Sequence, residues 1–171
     1  AVKSTAQATA MIFFIVLGAK IFNSFLSITR APDQLVEWVT MSGFDPLLVL
    51  SIMLLAYLIF GCVMDSLSMI LLTIPIFYPV IIALEFNVLG YAMSPEEAAI
   101  WFGILALIVV EVGLITPPVG MILFIINSMA RDIPIARTYA GVAPFVASAL
   151  IRVVILVLFP GITLWLVGAL F

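Results

Sequence analysis

"EVGLITPPVGM", Glu111 to Met121, interrupts a run of apolar residues that is otherwise long enough to cross a bilayer. Its two adjacent prolines remove two backbone donors, and their rings clash with the turn before them. The acceptors left waiting belong to Gly113 and Leu114, four residues earlier. Two carbonyl oxygens are thus released at membrane depth, beside the hydroxyl of Thr116. Gly113 and Gly120 allow unusual dihedrals and the close approach of another backbone. Oxygens of this kind suit a hard cation such as Na+. A lone proline would read as a kink that neighbouring groups re-satisfy. Thr-Pro-Pro-Val-Gly, with a second polar break in the same chain, reads instead as a site in a broken membrane helix.

The composition supports a membrane setting. The chain is 66% hydrophobic and 9% charged, with a mean hydropathy of +1.42. A soluble domain could not cover that much apolar surface. Ile151 to Phe171 holds only Arg152 as a charge, and Ala99 to Val110 continues across the break to Ala130. Cys62 is the lone cysteine and histidine is absent, which excludes an internal disulfide, a cysteine metal cluster and the commonest general base. With no paired-aspartate motif either, enzymatic chemistry is not expected, and no cofactor is implied beyond a bound ion. No basic run exists to hold nucleic acid. The start, AVKSTAQ, has no initiator methionine and runs straight into a helical pattern, as expected of a piece of something larger.

Thr5 to Ile28 predicts the first span, with Lys20, Asn23, Ser24 and Ser27 on one face. Arg30 to Asp45 reads as a polar connection with a short amphipathic piece around Leu35 to Met41. Leu47 to Phe86 does not read as one helix. Its first leg, Leu47 to Phe60, has 14 residues, about 21 Å of helix, which is short for a span. A re-entrant hairpin is therefore expected, with the polar tip Gly61 to Ser66 buried in protein or facing a water-filled cavity. Pro75 and Pro79 kink the second leg and free the carbonyls of Leu71 and Pro75. Asn87 to Pro95 is a second polar connection, and a charged loop at 131–137 leads through Thr138–Leu150 to a last span from about Arg152. The expected division is a scaffold-like part at 1–46, a transport-like part at 47–130, and the loop and final helix at 131–171. With a returning hairpin, Lys3, Arg131 and Arg137 share one side and Arg30 lies opposite, which places the first group in the cytoplasm.

The second constellation is Gly61, Asp65 and Ser66. A carboxylate at a helix centre costs about 2.5–3.5 kcal/mol on insertion scales and so marks a functional position. Asp65 either caps the helix beginning at Ser66 or contacts an ion or substrate directly. Glu111 is expected to clamp the unwound segment together with Pro118, in preference to carrying a proton or cation. Lys20 and Arg152 are expected to snorkel towards an interface.

Gly61-Cys-Val-Met-Asp65-Ser-Leu-Ser-Met-Ile-Leu-Leu-Thr-Ile-Pro75, followed by Glu111-Val-Gly-Leu-Ile-Thr-Pro-Pro-Val-Gly120, resembles the large membrane subunit of TRAP (tripartite ATP-independent periplasmic) transporters. The order of hairpin, broken helix, Ala-Arg-Asp-Ile-Pro loop and a last helix with Phe-Pro-Gly-Ile-Thr-Leu-Trp fits as well. The resemblance implies an all-α elevator-type fold of two inverted repeats, of which this chain is similar to the second, C-terminal one, with the N-terminal half absent. It implies a multi-pass protein of the bacterial inner membrane that uses Na+ to import an organic acid, such as a C4-dicarboxylate or sialic acid. A periplasmic binding protein would deliver the solute, and a small membrane subunit would be a partner. By motif, Gly61, Asp65 and Ser66 match the hairpin tip, and Gly113, Thr116, Pro117 and Gly120 match the unwound helix; together they would form one Na+ site. The family often has asparagine two residues after the last motif glycine, where this chain has Ile122. Outside the resemblance, a proton-coupled symporter with Asp65 or Glu111 as carrier, or a non-transporting scaffold, are the competing readings.

Overall fold

Several helices here are apolar all round, so prolines and caps set many of the boundaries. The computed structural model describes residues 2–117, 119–129 and 134–170. Pro118 and Arg131, given roles above, lie outside them. Helix α1 (Val2–Thr29) is 28 residues long. It ends at Arg30, which takes a left-handed conformation (φ 54°) before α2 (Ala31–Ser42). The expected connection is therefore mostly helix. Pro32 sits in its first turn, where a missing N–H costs nothing, and Gly43 (φ 64°) stops it.

Asp45 caps α3 (Pro46–Gly61), accepting from the Leu47 and Leu48 amides at 2.9 and 3.2 Å. After the turn at 62–65, α4 (Ser66–Ala83) contains Pro75 and Pro79 yet stays helical throughout. The connection at 87–95 holds a two-stranded ribbon, β1 (Asn87–Val88) paired antiparallel to β2 (Tyr91–Ala92). Leu89 (φ 50°) and Gly90 (φ 85°) both take positive φ, the geometry of a tight hairpin turn. Ser94 and Glu97 then form a reciprocal capping box on α5 (Pro95–Leu114). After the break come α6 (Met121–Met129), α7 (Ile135–Leu158) and α8 (Pro160–Leu170). The last apolar stretch thus differs from the single span expected from Arg152. It begins at Ile135 and stops at Phe159, because Pro160 lacks a donor and disfavours helix in the residue before it.

The core lies around α5. Val49, Leu50, Met53, Leu54 and Tyr57 give α3 one buried stripe, and Trp101, Phe102, Leu105, Val109 and Val110 meet it from α5. Helix α4 joins through Met69, Val80 and Ile81, and α7 and α8 through Val153 and Leu164. Tyr57 lies edge-on to Phe77 of α4, with ring centroids 5.3 Å apart, and accepts a 2.8 Å hydrogen bond from the Thr73 hydroxyl. Outside the core the surface is apolar; Phe13 and Phe14 of α1 are 70% and 77% exposed. Among the described residues four helices, α1, α4, α5 and α7, are long and apolar enough to cross a membrane. In lipid such a surface carries no penalty, and helix association rests on packing and hydrogen bonds.

Neighbouring helices repair two of the proline gaps. The Asn23 amide of α1 donates to the Leu71 carbonyl at 3.2 Å, the acceptor that Pro75 leaves without its helical donor. The Trp101 indole donates to the Leu156 carbonyl at 2.9 Å, the acceptor four residues before Pro160. In hydrocarbon, where no water can step in, each such bond removes an unsatisfied group.

Candidate ion site at the hairpin tip and broken helix

The end of α3 and the end of α5 cross at two glycines. A Cβ built on Gly113 would lie 2.8 Å from the Gly61 Cα and 3.0 Å from the Leu58 carbonyl oxygen; one on Gly61 would lie 3.0 Å from the Val110 oxygen. Nothing larger than hydrogen fits, so glycine at both positions sets the distance between the backbones. Gly113 serves this approach from within a helix, whereas Gly120 supplies the unusual dihedral (φ 58°).

That crossing brings the tip against the break. The Ser66 hydroxyl donates to Glu111 Oε1 at 3.1 Å. The Cys62 sulfur lies 3.2 Å from the Leu58 carbonyl and 3.9 Å from that of Pro117. Asp65 takes extended backbone angles and accepts from the Ser68 amide at 3.0 Å, capping α4. Its side chain is thus turned to its own helix.

Beyond Leu114 the chain tightens before it unwinds. The Ile115 amide donates to Val112 (3.2 Å) and the Thr116 amide to Gly113 (3.1 Å), which is 3₁₀ spacing. Gly113 therefore regains a donor for the carbonyl that Pro117 was expected to free. Leu114 is left as the acceptor whose helical donor would have been residue 118, a proline. The Thr116 hydroxyl donates to the Val112 carbonyl at 2.6 Å, so its proton is engaged and its lone pairs remain. The buried Gly120 restarts the helix, its carbonyl accepting from Leu123 (2.8 Å) and Phe124 (3.2 Å).

Tyr139 of α7 donates its hydroxyl to the Val119 carbonyl at 2.7 Å and so ties down the unwound segment. Thr138 donates to Asn127 Oδ1 at 3.2 Å, fixing α6 on the same helix. A cleft of about 220 Å³ lies between the break and α7, lined by Ile115, Pro117, Tyr139, Ala143, Val146 and Leu150 among others. Sequence reasoning passed over Cys62, Tyr139, Asn23 and Trp101 as site or support residues. Proline spacing names the acceptors that need donors; it does not name the donors.

Gly61 with Gly113, and Ser66 with Glu111, are the sequence-selected residues found in contact. Thr116 and Gly120 meet across the unwound turn, where a Cβ on Gly120 would lie 3.3 Å from the Thr116 carbonyl oxygen. Pro117 borders the cleft and approaches Cys62. No cluster of three or more His, Cys, Asp or Glu side chains suited to a transition metal occurs among the described residues. The donors gathered at the break are carbonyl and hydroxyl oxygens, which fit a hard monovalent cation.

Residues 1–162 match the family model described as the DctM component of the tripartite ATP-independent periplasmic transporter. The C4-dicarboxylate TRAP transporter large permease protein DctM of Pseudomonas aeruginosa is 30% identical over 160 residues, covering 94% of this chain and 35% of that protein. The sialic acid TRAP transporter large permease protein SiaM of Vibrio cholerae is 27% identical, covering 96% and 36%. The ectoine/5-hydroxyectoine TRAP transporter large permease protein UehC of Ruegeria pomeroyi is 29% identical, also covering 96% and 36%. No solved structure matches the chain. The chain spans about a third of the length of the curated relatives it matches, and the matches lend no support to the expected C-terminal placement within them. A broken helix packed on a helical hairpin, four apolar helices of spanning length and the family match lead to one conclusion: the chain belongs to the DctM-component family of tripartite ATP-independent periplasmic transporters and is a multi-pass inner-membrane protein.

Proposed function

We propose that this chain is part of a Na+-coupled secondary transporter that imports organic acids, and that it contributes one Na+ site. The observation that carries the reading is the Gly61–Gly113 crossing, which holds the hairpin tip against the unwound segment. The Leu114 carbonyl, the Thr116 oxygen and the backbone around Pro117 and Gly120 would hold the ion, facing Gly61, Asp65 and Ser66 of the tip. A bound Na+ would supply the positive charge that draws tip and break together. Glu111, hydrogen-bonded to Ser66, braces the two walls and does not bind the ion. On this reading α3 and α4 form a re-entrant hairpin, and the chain is one inverted repeat of an elevator-type fold. Residues 1–46 belong to the scaffold and 47–130 to the moving part, with the loop and final helices at 131–171; the end bearing Lys3 and Arg137 faces the cytoplasm.

Relatives named for C4-dicarboxylates and for sialic acid support a carboxylate solute. All three named relatives are transporter permeases, which supports a non-enzymatic role. A periplasmic binding protein and a small membrane subunit are the proposed partners, as the tripartite name of the family suggests. The deciding experiment is uptake by the full-length protein with its partners in proteoliposomes. Uptake should fall to background when choline replaces Na+. Uptake indifferent to choline but abolished without a pH gradient would overturn the sodium reading. Thr116→Ala should weaken Na+ dependence more than folding, and an unaltered Na+ affinity would remove Thr116 from the site.

A further inference from the structure

Lys20 lies well inside α1, a helix long and apolar enough to cross a membrane. The turn into α2 marks one boundary: Arg30 is largely exposed and pairs with the exposed Asp33 at 3.5 Å, and α2 continues with Gln34 and Glu37. Lys20 lies ten residues before Arg30, about 15 Å of helix and half of the roughly 30 Å hydrocarbon thickness. The opposite boundary is about as far. A four-carbon stem does not cover that distance, so the snorkelling expected from the sequence does not reach either side. Among the described residues no carboxylate lies within ion-pair distance of Lys20.

The surroundings of Lys20 are polar. It shares an open, shallow groove along one face of α1 with Asn23, Ser24, Ser27 and Ile28. Ser24 and Ser27 follow it at helical spacing, on the same face. Asn23 turns inward to the Leu71 carbonyl, and its own Oδ1 is buried without a partner. Leu71 lies five residues beyond Ser66, about 7.5 Å along α4 from the hairpin tip. Helix α2, which continues from the far end of α1, lines a groove with Thr73, Ile76, Phe77 and Val80 of α4. The C-terminal end of α1 therefore leads away from the tip, and Lys20 lies on the tip side of Asn23.

We propose that Lys20, on the polar face it shares with Ser27, is a carboxylate-binding position for the transported organic acid beside the hairpin tip. The ammonium offers three donors and the Ser27 hydroxyl one, matched to the acceptor-only oxygens of a carboxylate; the Ser24 hydroxyl donates to the Lys20 backbone carbonyl at 3.0 Å. A single ion pair with an acidic side chain on another helix would occupy Lys20 and leave the Ser27 hydroxyl unused. This proposal rests on the transporter reading and deepens it.

The test uses the full-length permease with its partner subunits in proteoliposomes, saturating Na+ and succinate as the probe. Losing a charge-assisted hydrogen bond predicts that Lys20→Met raises the KM for succinate about tenfold or more and leaves half-saturation by Na+ unchanged. Lys20→Arg should stay within about threefold of wild type, since it keeps the charge. A wild-type KM in Lys20→Met overturns the proposal. So does recovery of Lys20→Met by neutralising an acidic residue on another transmembrane helix. A second arm needs no substrate and decides the matter if wild-type protein takes up no succinate. In a Cys62→Ala background, Lys20→Cys should react from water with an anionic, membrane-impermeant methanethiosulfonate; an unreactive thiol means the position is covered by lipid or protein and overturns the proposal. Failure of Na+ dependence in wild-type protein counts only against the sodium reading, so the two failures are told apart.

Discussion

Helix α4 and the α5–α6 segment each carry two prolines at membrane depth, and they end differently. In α4, Pro75 and Pro79 stand four apart, so each removes one hydrogen bond from an otherwise intact ladder, and the helix runs on from Ser66 to Ala83. In the other segment Pro117 and Pro118 are adjacent, so two consecutive bonds vanish, and Thr116 and Pro117 are both disfavoured from helix by the proline that follows. Gly120 then turns the chain before α6 begins. Support differs too. A side chain from α1 covers the gap that Pro75 leaves in α4, whereas the break is held by contacts at its edges, from Tyr139, Cys62 and the Gly61 crossing. Spacing, more than proline count, separates a tolerated kink from a broken helix.

The largest test of this contrast is the glycine crossing. Gly113→Leu should cost about 3 kcal/mol or more through overpacking against Gly61 and Leu58, read by unfolding of the purified protein in detergent. Gly103→Leu, on the same helix with open space at its Cβ, should leave stability nearly unchanged. Equal effects from the two would remove the crossing as the element that places the break.

Next come the donor side chains that cover proline gaps. Trp101→Phe should destabilise by about 2 kcal/mol, because the Leu156 carbonyl is left unmet beside the fully buried ring at position 101. Asn23→Leu should cost about 1 kcal/mol, within the range measured for hydrogen bonds between membrane helices. Replacing Pro75 with alanine as well should erase most of the Asn23→Leu effect, since residue 75 then supplies the missing donor. A double mutant as unstable as the single one would mean that Asn23 does not serve the proline gap.

The smallest stability effects are expected where tip and break meet. Ser66→Ala should cost about 0.6 kcal/mol, a typical single interhelical hydrogen bond. Asp65→Asn should be neutral in unfolding, because asparagine caps about as well as aspartate. Under the proposed function the same change weakens Na+ dependence, so measuring both separates the cap from the charge. If neither moves, Asp65 is a cap alone.

The membrane class, the broken helix, the hairpin turn and the pairing of Gly61–Ser66 with Glu111–Gly120 were legible because each depends on local chemistry. Proline lacks a donor wherever it stands, and glycine and aspartate have few reasons to interrupt apolar runs. The turn ribbon at 87–92 was missed because Leu89 at positive φ is not a signal that sequence offers. The length of α2 was hidden by its polar residues, and the start of α7 by the charges before it. Buried faces were illegible as well: α3 and α5 are apolar all round, so periodicity could not choose the stripe that packs.

Sequence by itself determined where the backbone would lack donors, since that follows from covalent structure at Pro75, Pro117, Pro118 and Pro160. Tertiary structure alone decided which side chains answer, because Asn23, Trp101 and Tyr139 are 48, 55 and 20 residues from the carbonyls they meet. It also turned Thr116 and Asp65 towards their own helices and set Ser66 on Glu111. The physical reason is reach: a missing donor is a local fact, and its replacement depends on which distant helix packs within hydrogen-bond distance.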